Sequence, residues 1–251
     1  MKLGEEPSKR KIKTAVIIAG GEGLRLRPLT SDKPKVMISV AGKPILDWIM
    51  QWLVDNGISH IVVGVAYKKN AVIEHVRQLN LPFRLDFSEH TVEGGTGEAF
   101  RLAIERFVPD GTFLAMNGDE ITDINVSDFA EFHLRVGGLA TIAVANLRSP
   151  FGVVKVKDDR IVGYEEKPIL DSLVSTGVYV FSRGIVDFLP VKGNVEVETF
   201  PQLSRSGKIA AFRHTGFWGT LNTLKDLREL ESDLSRGILS PKNIDRYNSL
   251  S

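Results

Sequence analysis

The residues of this chain best suited to chemistry crowd into one stretch, residues 20–35, which reads GGEGLRLRPLTSDKPK. Gly20, Gly21 and Gly23 carry no Cβ, so the backbone there can turn through positive φ and come close to a ligand. Arg25, Arg27, Lys33 and Lys35 belong to the same loop. Backbone N–H groups beside fixed cations are what a polyphosphate needs. The stretch is not a Walker A loop, because no G-x-x-x-x-G-K-[ST] is present. Nor is it a dinucleotide fingerprint, because Leu26 stands where the third glycine would be. On glycine spacing alone, a tight turn with solvated basic side chains explains it equally well.

These residues need a scaffold, and the flanking pattern supplies one. Residues 14–19, TAVIIA, are apolar on both faces, as in a central strand of a parallel sheet. Pro44 opens a helix with Ile45, Leu46, Ile49, Trp52 and Leu53 on one face, and Asn56-Gly57 closes it. A strand over 58–66, a helix over 68–79 and a short strand over 84–88 come next. Thr96 is placed to cap a helix carrying Ala99, Phe100, Ala103, Ile104 and Phe107, and residues 113–117 form another strand. This rhythm specifies a doubly wound, Rossmann-like α/β sheet with right-handed crossovers. In such sheets ligands bind beyond the carboxyl ends of the strands, where 20–35, 94–98 and 118–120 all fall.

From about residue 139 the pattern turns antiparallel-leaning and mixed. Strands are expected over 139–145, 152–157, 160–165 and 174–181, with a turn at Asp158-Asp159. Helices are expected over 182–188, 198–206 and 223–236, the last with Leu224, Leu227, Leu230 and Leu234 on one stripe. The expected organisation is an N-terminal extension over 1–13 and one domain over 14–237. Residues 14–138 would form its first part and 139–237 its second, with a tail over 238–251 that frays or packs loosely.

Of 251 residues, 32 are Lys or Arg and 31 Asp or Glu, a formal charge of +1, so neither a nucleic-acid partner nor a membrane surface is expected. The absence of cysteine removes thiolate zinc sites, disulfides and a cysteine nucleophile. A polar, mixed-charge start and the lack of any apolar run long enough to span a bilayer point to the cytoplasm.

The wider arrangement, G-G-x-G-x-R-L-x-P-L-T at 20–30 followed by a lysine–proline segment ending in G-K-P at 42–44, resembles the sugar-1-phosphate nucleotidylyltransferase superfamily. The likeness continues through GGTGEA (94–99), NGD (117–119), FGV (151–153), EEKP (165–168), STGVYVF (175–181) and GFW (216–218), in family order. It implies a Rossmann-like, glycosyltransferase-A-like nucleotidyltransferase fold. The implied reaction is attack of a sugar 1-phosphate on the α-phosphorus of an NTP, assisted by Mg²⁺, giving an NDP-sugar and pyrophosphate. By the same likeness Arg25 would steady the triphosphate, Lys35 the α-phosphate and Lys167 the sugar phosphate, while Asp119 would bind Mg²⁺. Ala19, Gly20, Gly21, Gly23, Gly95, Thr96 and Gly118 would contact the nucleotide. Gly152, Glu166, Ser175 and Thr176 would contact the sugar, which would make 14–138 the nucleotide-binding part and 139–237 the sugar-binding part. Taken singly, Asp119 would be a turn cap, Lys167 a loop lysine and Glu166 its solvated neighbour. Trp218 reads as packing, and His90 as surface or packing.

Several positions depart from the family pattern. Leu24 stands where Thr is usual, Val36 where Pro or Gln is common, and Ser175 where many members have Asn. The place of a second metal carboxylate falls on Thr220 or Asn222, so Asn222 is the remaining metal candidate unless Asp226 reaches in. No hexapeptide repeat is present, so no left-handed β-helix and no acyltransferase are expected. The base is open: GGTGEA is similar to mannose- and heptose-phosphate guanylyltransferases, and HTGFWGTLNTLKD to glucose-1-phosphate cytidylyltransferases. A homo-oligomer is common in the family, but no interface is legible in the chain. The competing reading is a weakened, nucleotide-sugar-binding regulatory paralogue.

Overall fold

A computed structural model describes residues 12–79 and 82–237; the expected tail and most of the expected extension lie outside them. Strand β1 (Thr14–Ile18) leads through the glycine–arginine loop to a pair of two-residue strands, β2 (Ser39–Val40) and β3 (Lys43–Pro44), and then to α1 (Ile45–Asp55). The alternation continues as expected through β4 (His60–Val65), α2 (Lys69–Gln78), β5 (Arg84–Glu89), α3 (Gly95–Phe107) and β6 (Thr112–Asn117).

Two unanticipated elements follow, β7 (Glu120–Thr122) and α4 (Val126–Val136). The side chain of Asn125 caps α4 by accepting from the N–H groups of Ser127 and Asp128, and Val126, Phe129, Ala130 and His133 form its buried face. The second half brings β8 (Ala140–Arg148), β9 (Val153–Lys157), β10 (Arg160–Glu165), β11 (Ile169–Ser182), α5 (Thr199–Arg205), β12 (Ile209–Arg213), β13 (Trp218–Thr220) and α6 (Leu224–Ser235). The expected helix over 182–188 is a 3₁₀ turn, Arg183–Phe188. On α6, Leu230 and Leu234 are buried, but Leu224 is exposed and lies off the stripe.

Seven strands form one sheet in the order β12-β8-β11-β6-β1-β4-β5. β1 is parallel to β4 and β6, β4 to β5, and β8 to β12. β11 runs antiparallel to both its neighbours, β6 and β8. The strand periodicity of two sends alternate residues into two cores. Ile17, Val63, Met116 and Val180 pack with α1, α2, α4 and α6 on one face. Val16, Val62, Ala115 and Phe181 pack with α3 and α5 on the other. In that second core Phe181 stacks on Tyr179 at 5.3 Å and meets Phe100 and Phe113 edge-on.

β9 and β10 form a separate antiparallel hairpin. Asp158 and Asp159, both at positive φ, make its turn where expected. Gly152 enters this hairpin and Glu166–Lys167 leave it. No helix among the described residues is long and apolar enough to cross a membrane.

Candidate active site

The parallel strands β1, β4 and β6 end at one edge of the sheet, and the loops leaving them are tied together. The N–H of Ala19 donates to Gly64 (2.7 Å) and that of Gly118 to Ile18 (2.8 Å). Gly23 sits at φ 64° and opens a 3₁₀ turn, Leu24–Leu26, that lifts Arg25 to the surface. Thr30 anchors this turn by donating to the Gly23 carbonyl at 2.8 Å. Leu24 is exposed on it. A second 3₁₀ turn, Lys35–Met37, starts after Pro34 and presents Lys35.

Three of the expected catalytic residues converge here. The Lys35 ammonium pairs with the carboxylate of Asp119 and donates to Oδ1 of Asn222 at 2.9 Å. Arg25 Nη2 donates to the same Asn222 oxygen at 3.0 Å. A short antiparallel ladder places Asn222. In it β13 pairs with β7, Thr220 lies opposite Glu120, and the Leu221 N–H donates to the Asp119 carbonyl at 2.9 Å. Asp226 does not reach in. Its carboxylate accepts from the N–H groups of Asn222 and Thr223 and forms the capping box of α6.

Behind this cluster lies Glu120, which the sequence reading does not single out. It is 6% exposed and accepts from Trp218 Nε1 at 2.8 Å and from Thr220 Oγ1 at 3.1 Å. Burial, and then the adjacent Asp119 charge, push its carboxyl well above the usual range against those two hydrogen bonds. Its signal in the sequence is an acidic residue directly after Asn117-Gly118-Asp119 at a strand end. Trp218 also donates to the Thr176 carbonyl at 3.0 Å, so it packs the site rather than facing it.

A cleft of about 500 Å³ is walled by Ala66, Lys68, Lys69, Asn70, Ala71, Glu89 and His90, and of the expected nucleotide residues Gly20 lies against its wall, next to His90 and Ala66. His90 lies over Gly20, and its Nε2 is buried without a partner among the described residues. Gly21 is exposed and open. Thr96 does not cap α3, which begins one residue earlier after Gly94. The reason is a competing set of partners: its hydroxyl donates to Glu196 at 2.8 Å and accepts from the Val195 N–H at 3.1 Å. Gly95, at φ 73°, packs against Gly193 and Asn194 of that same loop.

The expected sugar residues divide. Gly152 and Glu166 meet through Tyr164, whose hydroxyl donates to Glu166 at 2.9 Å. Lys167 takes φ 50°, and the next carbonyl, that of Pro168, accepts from the Ser149 N–H. Among the described residues no hydrogen bond or ion pair joins Glu166 or Lys167 to the Lys35–Asp119 cluster. Ser175 is exposed, its hydroxyl accepting from the Gly177 N–H at 3.4 Å. Thr176 is fully buried, donating to the Ala143 carbonyl at 2.9 Å, so its hydroxyl faces the sheet and not a ligand. Tyr179 points at Glu196, and burial, then that charge, raises its phenol. Asn117 Oδ1 beside it is buried without a partner among the described residues.

The Nucleotidyl transferase family profile matches residues 14–236. The chain belongs to that family. Among named relatives of this nucleotidyl transferase, a probable glucose-1-phosphate cytidylyltransferase of Bacillus subtilis (strain 168) is 28% identical over 89% of the chain and 96% of its own length. A mannose-1-phosphate guanylyltransferase of Mycobacterium tuberculosis is 32% identical over 89% of the chain, which spans 65% of that protein. The mannose-1-phosphate guanyltransferase beta-B of Xenopus laevis is 31% identical over 84% of the chain, which spans 62% of it. In fold, the chain superposes on HddC from Yersinia pseudotuberculosis with a TM-score of 0.73 at 24% identity, covering 89% of this chain and all of that one.

Proposed function

We propose that this chain transfers a nucleotidyl group from an NTP to a sugar 1-phosphate. A phosphate oxygen of the sugar 1-phosphate attacks the α-phosphorus, a new P–O bond forms in line, and the bond to the β,γ-phosphates breaks to release pyrophosphate. Such a displacement asks the protein for position and positive charge more than for covalent chemistry. One observation carries the reading: Arg25 and Lys35, on two turns of one loop, meet at the Asn222 amide oxygen, with Asp119 paired to Lys35, beyond the ends of β1 and β6. Lys167 and Glu166, on the hairpin exit, are assigned to the sugar phosphate and sugar hydroxyls. Gly20, Gly23, Gly95 and Gly118 are assigned to the nucleotide.

Asp119 fits Mg²⁺, because one carboxylate with phosphate oxygens and water is a normal magnesium shell. Asn222 fits it poorly: its Oδ1 already faces Arg25 and Lys35, a cationic setting. No group of His, Asp and Glu able to hold a metal unaided occurs among the described residues, in keeping with an ion that arrives with the triphosphate. When bound, Mg²⁺ supplies charge neutralisation on the phosphates.

Identity favours guanine as the base, at 30–32% for mannose-1-phosphate guanyl- and guanylyltransferases against 28% for the cytidylyltransferase, whereas matched length favours cytosine. We take GTP first and CTP second. The reading has small-molecule partners only and a cytoplasmic setting. A second reading, nucleotide-sugar binding without turnover, rests on the amide at 222 in place of a carboxylate. Pyrophosphate release with Mg²⁺, crossing GTP, CTP, UTP, dTTP and ATP with hexose and heptose 1-phosphates, decides between them. Release that needs both substrates is expected. Folded protein that binds nucleotide and releases none in any combination would leave the second reading standing.

A further inference from the structure

Glu120 is the buried acid that the proposed reaction leaves without a task, and its surroundings give it one. Each of its oxygens accepts a single hydrogen bond, Oε2 from the Trp218 indole at 2.8 Å and Oε1 from the Thr220 hydroxyl at 3.1 Å. A hydroxyl has one proton. Having given it to Glu120, Thr220 can only accept from its other neighbour, and it accepts from Nδ2 of Asn222 at 2.7 Å. The amide of Asn222 is thereby turned so that Oδ1 points away from Thr220, toward Lys35 at 2.9 Å and Arg25 at 3.0 Å. Reversed, the same amide would set its NH₂ against two cations and its carbonyl against a hydroxyl with no proton left to give.

We infer that Glu120, acting through Thr220, is a positioning residue that fixes the Asn222 amide as the acceptor holding Arg25 and Lys35 together beside Asp119. All links of the chain share one donor-to-acceptor direction, from the cations through Asn222 and Thr220 to Glu120. Glutamate ends it there because each of its oxygens faces a donor, the Trp218 indole on one side and the Thr220 hydroxyl on the other. Glutamine at 120 would meet either the indole or the hydroxyl with its own NH₂. The paired strands β7 and β13 set the spacing, with Glu120 directly opposite Thr220. This inference rests on the nucleotidyl transfer proposed above.

Thr220→Val is the informative variant, since it keeps the β-branched shape and leaves the Trp218 contact of Glu120 in place. Roughly tenfold lower kcat is expected, with KM for the sugar 1-phosphate little changed, and Thr220→Ser should restore the rate. Asn222→Ala should lose about as much as Thr220→Val, and the double variant no more than the larger single loss. Glu120→Gln should lower kcat likewise while the protein stays folded by circular dichroism. Wild-type kcat in Thr220→Val, failure of Thr220→Ser to restore a lost rate, or losses that add in the double variant would overturn the inference. If the wild-type protein turns over no substrate pair, nucleotidyl transfer fails by itself. The same variants are then read on the GTP dissociation constant by calorimetry. Equal and non-additive weakening by Thr220→Val and Asn222→Ala supports the relay, and wild-type affinity in Thr220→Val sinks it.

Discussion

The imidazole of His90 closes over Gly20 so tightly that a Cβ at Gly20 would stand 2.4 Å from its Cε1. Ala66 Cβ would be 2.9 Å away on another side. Gly20→Ala should therefore cost about 1–3 kcal/mol, the usual range for overpacking, read from urea unfolding. Combining it with His90→Ala should recover part of that loss. A Gly20→Ala protein as stable as wild type would show that the ring moves aside freely.

Asp119→Asn preserves shape and removes the charge that faces Lys35. Turnover should fall about 10²- to 10³-fold, the scale set by losing one preorganised charge interaction, while nucleotide binding measured without metal persists. A kcat within about threefold of wild type would remove Asp119 from the chemistry.

Gly152→Ala would bring a Cβ within 2.2 Å of the Tyr164 hydroxyl and 3.0 Å of Glu166 Oε2. Tyr164 is exposed and can swing away, so stability should change by less than about 0.5 kcal/mol. Its hydrogen bond to Glu166 would be broken. KM for the sugar 1-phosphate should rise while KM for the NTP stays put, and steady-state kinetics in both substrates checks the asymmetry.

His133 is buried between Thr141 and Ser182, at 2.8 and 2.9 Å, and burial lowers its affinity for a proton below the ordinary 6.5. The unfolded chain then binds the proton more readily than the native one. Stability from this group is complete above pH 6.5 and is lost as pH falls from there toward the lowered native value. Urea midpoints measured between pH 5 and about 8 should decline on the acid side, and His133→Asn should flatten that decline.

The parallel half of the fold is legible in the chain because its strands are buried on both faces and its helices keep their apolar spacing. β7 and β13 are harder to read: three residues each, they carry no periodicity, and only their pairing defines them. Helix α4 was available from Asn125 and the spacing Val126, Phe129, Ala130, His133, yet it hides between strands of stronger character. In the site, Arg25, Lys35 and Asp119 stand out through glycines and charge. Glu120 does not, because what distinguishes it is burial, and burial is set by the Trp218 and Thr220 side chains about a hundred positions away. Thr96 misleads for the same reason. A hydroxyl at a helix start reads as a cap until a distant partner, Glu196, claims it.

β11 lies hydrogen-bonded between β6 and β8, against the direction of both. Its residues 175 and 176 therefore ride on the same slab as Asn117, whose strand ends two residues before Asp119. Residues 14–138 and 139–237 have no hinge between them, for β6 is hydrogen-bonded to β11 and bending at Gly137–Gly138 would have to tear a sheet rather than flex a tether. Under the proposed reaction, closure around two substrates would fall to what hangs off the slab: the β9–β10 hairpin, with Glu166 and Lys167 at its exit, and the glycine–arginine loop. Domain rotation is therefore the wrong motion to look for. Any closing motion would be that of flaps on a plate.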